Sequence, residues 1–125
     1  MGKYSYYDAS EEVVFVNLSG LKPTRDLWDE IMSDIHATLD GVEQKVYLVS
    51  CWREVQMDLS SAQYYGECVK ELLKRVRGIV RYEATEPLTR IYLISEAIKH
   101  EMQGSRSHIY NTKSEALKAI QSDKM

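Results

Sequence analysis

Residues 45–82 read KVYLVSCWREVQMDLSSAQYYGECVKELLKRVRGIVRY. The segment opens on Val46-Tyr47-Leu48-Val49, an apolar run too short for a helix and rich in β-formers. Its residues do not alternate with polar ones, the habit of an interior parallel strand buried on both faces. A helical stripe follows, in which Tyr64, Tyr65, Cys68, Val69, Leu72, Leu73 and Val76 share one face. Ser60, with Gln63 three residues later, fits a capping box and places the helix start there. Lys74, Arg75 and Arg77 fill the expected last turn, and Gly78 is the expected stop. Ile79-Val80-Arg81-Tyr82 then reads as another strand. Strand, helix and strand in that order form a βαβ unit, with parallel strands and a right-handed crossover.

The flanks extend the pattern. Tyr4 and Tyr6 before Asp8-Ala9-Ser10 read as a short strand and a turn. Val13 to Val16 is a buried strand bounded by Ser19-Gly20, and the two strands fit an antiparallel hairpin. Leu21-Lys22-Pro23-Thr24 breaks the chain and caps a helix whose inner face is Leu27, Trp28, Ile31, Met32, Ile35 and Leu39. Asp26 suits its dipole and Gly41 ends it. Beyond Tyr82, Pro87 begins a third helix with apolar Leu88, Ile91, Tyr92, Ile94, Ala97, Ile98 and Met102, ended by Gly104. His108-Ile109-Tyr110 is a short strand. Thr112 and Glu115 form a second capping box, and Ala116, Leu117 and Ile120 turn the last helix to the core. The expectation is one α/β domain over residues 1–125, with a mixed, mostly parallel central sheet and about four helices.

Composition narrows the function classes. The chain has 125 residues, 44% hydrophobic and 28% charged, the balance of an ordinary globular domain. A formal charge of -3 argues against a general nucleic-acid binder, which carries a basic footprint. Cys51 and Cys68 read as reduced thiols of a cytoplasmic protein. No apolar run reaches membrane-span length, and the first residues lack a signal-peptide core. His36, His100 and His108 are dispersed, and Glu96, His100 and Glu101 form no compact ligand set. There is no Gly-rich phosphate loop and no Gly-x-Ser-x-Gly elbow. No metal, no cofactor and no catalytic residue is therefore expected.

The order of elements, from about residue 11 to residue 120, resembles that of STAS domains, the bacterial anti-sigma-factor antagonists and their relatives. Asp58-Leu59-Ser60-Ser61-Ala62, where a loop meets the second helix, is similar to the family's Asp-Ser-Ser-Gly-Leu-Gly stretch. Ile79 to Tyr82 followed by Glu86-Pro87, and the ending from Ser107 to Ile120, carry the resemblance further. Leu59 stands at the family's first Ser, and Ser61 and Gln63 stand at its glycines. The resemblance implies a non-enzymatic protein-interaction and regulatory module. It implies a protein partner, of anti-sigma-factor or kinase-like type, and phosphorylation at Ser60.

The residues themselves give Ser60 two readings, an ordinary N-cap or a phosphosite facing free backbone N–H groups at a helix start. Trp52, Arg53, Asp58 and Ser61 are the candidates for a docking loop, on the sheet edge where α/β proteins bind; a Trp52 that folds back on the core is an equal reading, and Asp58 also suits the helix dipole alone. Lys70, Lys74 and Arg77, with Arg75 and Arg81 nearby, read as a solvated helix face because Glu67 and Glu71 interrupt them. Membrane-lipid contact is correspondingly disfavoured. The alternative function is a carrier of a small apolar ligand or lipid between sheet and helix, with Tyr64, Tyr65, Tyr92 and Met102 as lining.

Overall fold

The computed structural model describes residues 2–94 and 109–124. Five strands form one sheet in chain order: β1 (Ser5–Asp8), β2 (Val13–Asn17), β3 (Tyr47–Cys51), β4 (Gly78–Tyr82) and β5 (Ile109–Tyr110). β1 pairs antiparallel with β2, and every later pair is parallel. β3 lies in the middle, as its unalternating run requires. The helices are α1 (Arg25–Asp40), α2 (Leu59–Leu72), α3 (Pro87–Tyr92) and α4 (Lys113–Lys124).

Period-2 alternation divides the core between the two faces of the sheet. Val14, Val16, Leu48 and Ile79 meet Trp28, Ile31 and Ile35 of α1 and Tyr65, Val69 and Leu72 of α2. On the opposite face Val13, Phe15, Tyr47, Val49, Val80 and Tyr82 meet Ala116 and Ile120 of α4. The expected caps form at two helices. Thr24 accepts from Leu27 N at 3.2 Å. Thr112 accepts from Glu115 N at 3.1 Å while Glu115 accepts from Thr112 N at 3.1 Å.

Two boundaries depart from expectation. The cap of α2 is Asp58, extended at φ -90 and ψ 178, with its carboxylate accepting from Ser61 N at 2.8 Å. Ser60 is the second residue inside the helix and does not cap it. Asp58 escapes the capping-box pattern because Ser61, its third residue on, is not Glu or Gln. The other departure is at the far end, where α2 stops at Leu72. Leu73 to Val76 continue as turns, with Val76 N bonded to Leu72 O at 3.1 Å, and Arg77 N already bonds to Val46 O at 2.9 Å. Gly78 is therefore the first residue of β4. A side chain there would come within 3.0 Å of the Tyr47 ring, so close approach explains the glycine. The expected run of the third helix from Ser95 to Gly104 lies outside the described residues, as does His108.

Candidate functional site

The loops after β2, β3 and β4 (residues 18–24, 52–58 and 83–86) meet at the carboxyl edge of the parallel strands. Side chains and backbone pin them to one another. Gly20 N bonds to Arg53 O at 2.8 Å and Gln56 N to Leu21 O at 3.1 Å. Fully buried Thr89, on α3, accepts from Met57 N at 3.2 Å and donates to Val55 O at 2.6 Å. Glu54 N donates to Thr85 Oγ1 at 3.2 Å. Glu54 and Glu83 adopt positive φ, 58 and 56, a left-handed conformation that costs a non-glycine residue on the order of 1 kcal/mol. The network holds that strain in place.

Ser60 is exposed and lines a cleft of about 660 Å³ together with Pro23, Thr24, Arg25, Asp58 and Tyr64. Arg25 lies 4.4 Å from the Tyr64 ring centroid. The Tyr64 hydroxyl hydrogen-bonds to Asp29, which raises its pKa. A second cleft, about 490 Å³, shares Pro23, Thr24 and Asp58 and continues to Met57, Glu86 and Leu88. Leu88, which lines the second cleft, is 54% exposed, and the apolar Leu59, Ile91 and Ile94 are 47%, 57% and 54% exposed. Among the described residues the other large apolar side chain so exposed is Tyr6, so exposed apolar surface concentrates on α3 and the start of α2.

Of the docking-loop candidates, the structure leaves Arg53 and Asp58 exposed and buries Trp52 and Ser61. Trp52 is fully buried, and its indole donates to Ser50 Oγ at 2.9 Å. Its ring packs edge-on to Tyr65 at 5.1 Å and tilted to Trp28 at 5.9 Å. Large aromatic area favours this inward packing over a loop position. Ser61 is also buried. Its hydroxyl accepts from Trp28 Nε1 at 2.9 Å and donates to Pro23 O at 2.6 Å, tying α2 to α1 and to the loop before it. Trp52 offers no surface to a partner in this conformation, whereas Ser61, though buried, still lines the cleft beside Ser60.

Arg81 is likewise removed from the basic surface. It is fully buried, and its Nε and Nη2 donate to the Tyr65 hydroxyl at 3.1 and 2.9 Å. Lys70 and Lys74 pair with Glu67 and Glu71 at 2.8 and 3.1 Å, as a solvated helix face does. Of the expected carrier lining, Tyr65 fills the space under α2, stacked on Trp28 at 4.7 Å. Tyr64 and Tyr92 pack half-buried against the core, Tyr64 also lining the first cleft, and Met102 lies outside the described residues. Sequence spacing had not signalled the Arg81–Tyr65 bond, the Thr89 bridge or the Arg25–Tyr64 stack, since each joins separate elements. Among the described residues no group of three or more His, Cys, Asp or Glu is placed to hold a metal ion. No helix among them is long and apolar enough to cross a membrane.

An antiparallel hairpin leading into a parallel run, with α1 and α2 on one face and α4 on the other, is a STAS-like fold. The chain is similar to the STAS domain of a SulP transporter from Vibrio cholerae, with a TM-score of 0.57. The likeness covers 90% of this chain and 81% of that one at 17% identity, and it concerns the fold alone. No family model matches the sequence, and no curated protein matches it.

Proposed function

We propose that the chain is a non-catalytic protein-interaction module that docks a protein partner at the carboxyl edge of its sheet. The carrying observation is the set of exposed apolar side chains Leu59, Leu88, Ile91 and Ile94 on the segments that follow β3 and β4, with Ser60 exposed next to Leu59 in α2. Such side chains bury favourably against a partner, at about 25 cal/mol per Å² of apolar surface removed from water. A non-catalytic role is supported by what the polar groups there already do. Asp58 and Thr24 cap helices, Ser61 and Thr89 bridge elements, and the loops are held in one shape. The STAS-like fold and the Asp58–Ala62 stretch favour a regulatory partner of anti-sigma-factor or kinase-like type.

Ser60 is the switch in this reading. A phosphate there adds about two negative charges to the cleft that Asp58 and Glu67 also line. Because Ser60 does not cap α2, charge at that position acts on binding with little effect on folding. The experiment is retention of host proteins on immobilised wild-type chain, Ser60→Ala, Ser60→Asp and Leu88→Asp, followed by a binding isotherm with any protein retained. The reading expects a partner held equally by wild type and Ser60→Ala, and lost or weakened at least tenfold by Ser60→Asp and by Leu88→Asp. Equal affinity across all four leaves Ser60 an ordinary surface serine and refutes the docking face.

A further inference from the structure

The same sheet edge carries a third cleft, on the face that α4 covers. It encloses about 310 Å³ between Tyr6 of β1, Phe15 and Asn17 of β2, Cys51 of β3, Tyr82 of β4, Arg53 and Lys113. That volume is at the small end of the range of ligand sites. Its floor is aromatic. The rings of Tyr6 and Phe15 lie 5.5 Å apart, and Tyr82 and Cys51 line the cleft with them. Register makes this a sheet property: Tyr6 faces Phe15 across β1 and β2, and Cys51 faces Tyr82 across β3 and β4.

The walls bring the charge. Lys113, the first residue of α4, holds its ammonium 4.3 Å from the Phe15 ring centroid, a cation–π contact that fixes it over the floor. Arg53 approaches from the β3–α2 loop, 63% exposed and only loosely paired with Glu54 at 3.8 Å. Among the described residues Glu83 is the one carboxylate in the lining, against these two cations. Asp8 also acts on Lys113 from the β1 end. The backbone is fixed here too, since left-handed Glu54 and Glu83 adjoin Arg53 and Tyr82.

We propose that this cleft binds a small aromatic carboxylate. The ring lies against Tyr6 and Tyr82, and the carboxylate sits between Lys113 and Arg53. Aromatic rings favour offset or edge contacts with a ligand ring, and Arg53 offers a planar donor fork to a carboxylate. The prior placement of Lys113 lowers the ordering cost of binding. This site lies across the sheet from the docking face and does not depend on it.

The test is a titration of the whole chain with sodium benzoate, followed by amide chemical shifts at matched ionic strength. Benzyl alcohol, cyclohexanecarboxylate and inorganic phosphate serve as comparators. The expected result is saturable shifts at Asn17, Arg53, Glu83 and Lys113. Each comparator should bind at least fivefold more weakly, since benzyl alcohol lacks the charge and the two anions lack the aromatic ring. Arg53→Gln and Lys113→Gln should each weaken benzoate at least threefold. Arg53 is exposed enough that its variant keeps the fold, which guards against a misfolded Lys113 variant. Unsaturable or scattered shifts, phosphate binding as tight as benzoate, or undiminished binding in Arg53→Gln would overturn the proposal.

Discussion

Replacing Asp58 with alanine removes the side chain that starts α2. Its carboxylate accepts from Ser61 N at 2.8 Å, and it places a negative charge at the positive end of a 14-residue helix. Loss of such a cap costs about 1 kcal/mol, within a range of about 0.5–2. The charge against the helix dipole adds about 0.3–1 kcal/mol at an exposed position. Asp58→Ala should therefore lose about 1–2 kcal/mol, which lowers Tm by roughly 3–8 °C in a domain of this size. Asp58→Asn keeps an oxygen acceptor and should lose only the charge contribution. Ser60→Ala should stay within about 0.5 kcal/mol of wild type, because alanine favours a helix interior and no cap is lost. The assay is urea unfolding followed by tryptophan fluorescence, well suited here because the chain's two tryptophans both pack on Tyr65 of α2. A Ser60→Ala loss near 1 kcal/mol with Asp58→Ala unchanged would refute the assignment and return the cap to Ser60.

Two further outcomes follow from the same contacts. Ser61→Ala leaves Trp28 Nε1 and Pro23 O without their buried partner, and should cost about 1–3 kcal/mol in urea unfolding. Stability should also fall on mild acidification through His36. Its pKa is lowered by burial and by Arg75, whose Nη1 lies 3.0 Å from His36 Nδ1, while Asp40 and Glu71 oppose the shift. A histidine depressed in the folded state is protonated first in the unfolded chain, so its penalty appears as pH falls through about 6.5 and grows until the folded value is reached. His36→Gln should flatten melting temperature against pH in that window; an unchanged slope would contradict the placement.

The sheet and most helices were legible because their signals are local. Val46 to Val49 fixed β3 by lack of alternation, and Thr112 with Glu115 announced α4 by a reciprocal cap. The start of α2 misled because two overlapping signals lie two residues apart. Ser60 and Gln63 match the stronger sequence pattern, but Asp58 places Ser61, Ala62, Tyr65, Val69 and Leu72 inward together. Packing decides between registers that local pattern leaves close. The helix end misled for a related reason, since basic residues before a glycine look like a C-terminus, whereas Gly78 answers to the Tyr47 ring in another strand. Trp52 and Arg81 could not be placed from spacing at all. A loop tryptophan can equally face a partner or the core, and arginine is ordinarily exposed; each is buried here against a residue on another element, Tyr65.

Alternation along three short strands gives the carboxyl edge two chemically different sides. Ser50 and Arg81 turn toward the tryptophans and Tyr65, while their neighbours Cys51 and Tyr82 turn to the opposite face. A one-residue slip of β3 or β4 would exchange these sets, so the register that builds the core also builds both surfaces. The loops between the sides are held by hydrogen bonds from Thr85 and Thr89 and by strained Glu54 and Glu83, with no glycine in residues 52–58 or 83–86. Such loops cannot reshape freely around a ligand. Recognition at this edge must then rest on preformed surfaces: apolar side chains of α2 and α3 on one side, and an aromatic floor between Lys113 and Arg53 on the other. A charge placed at Leu88 and a charge removed at Lys113 thus act on separate events, because the packed sheet stands between them.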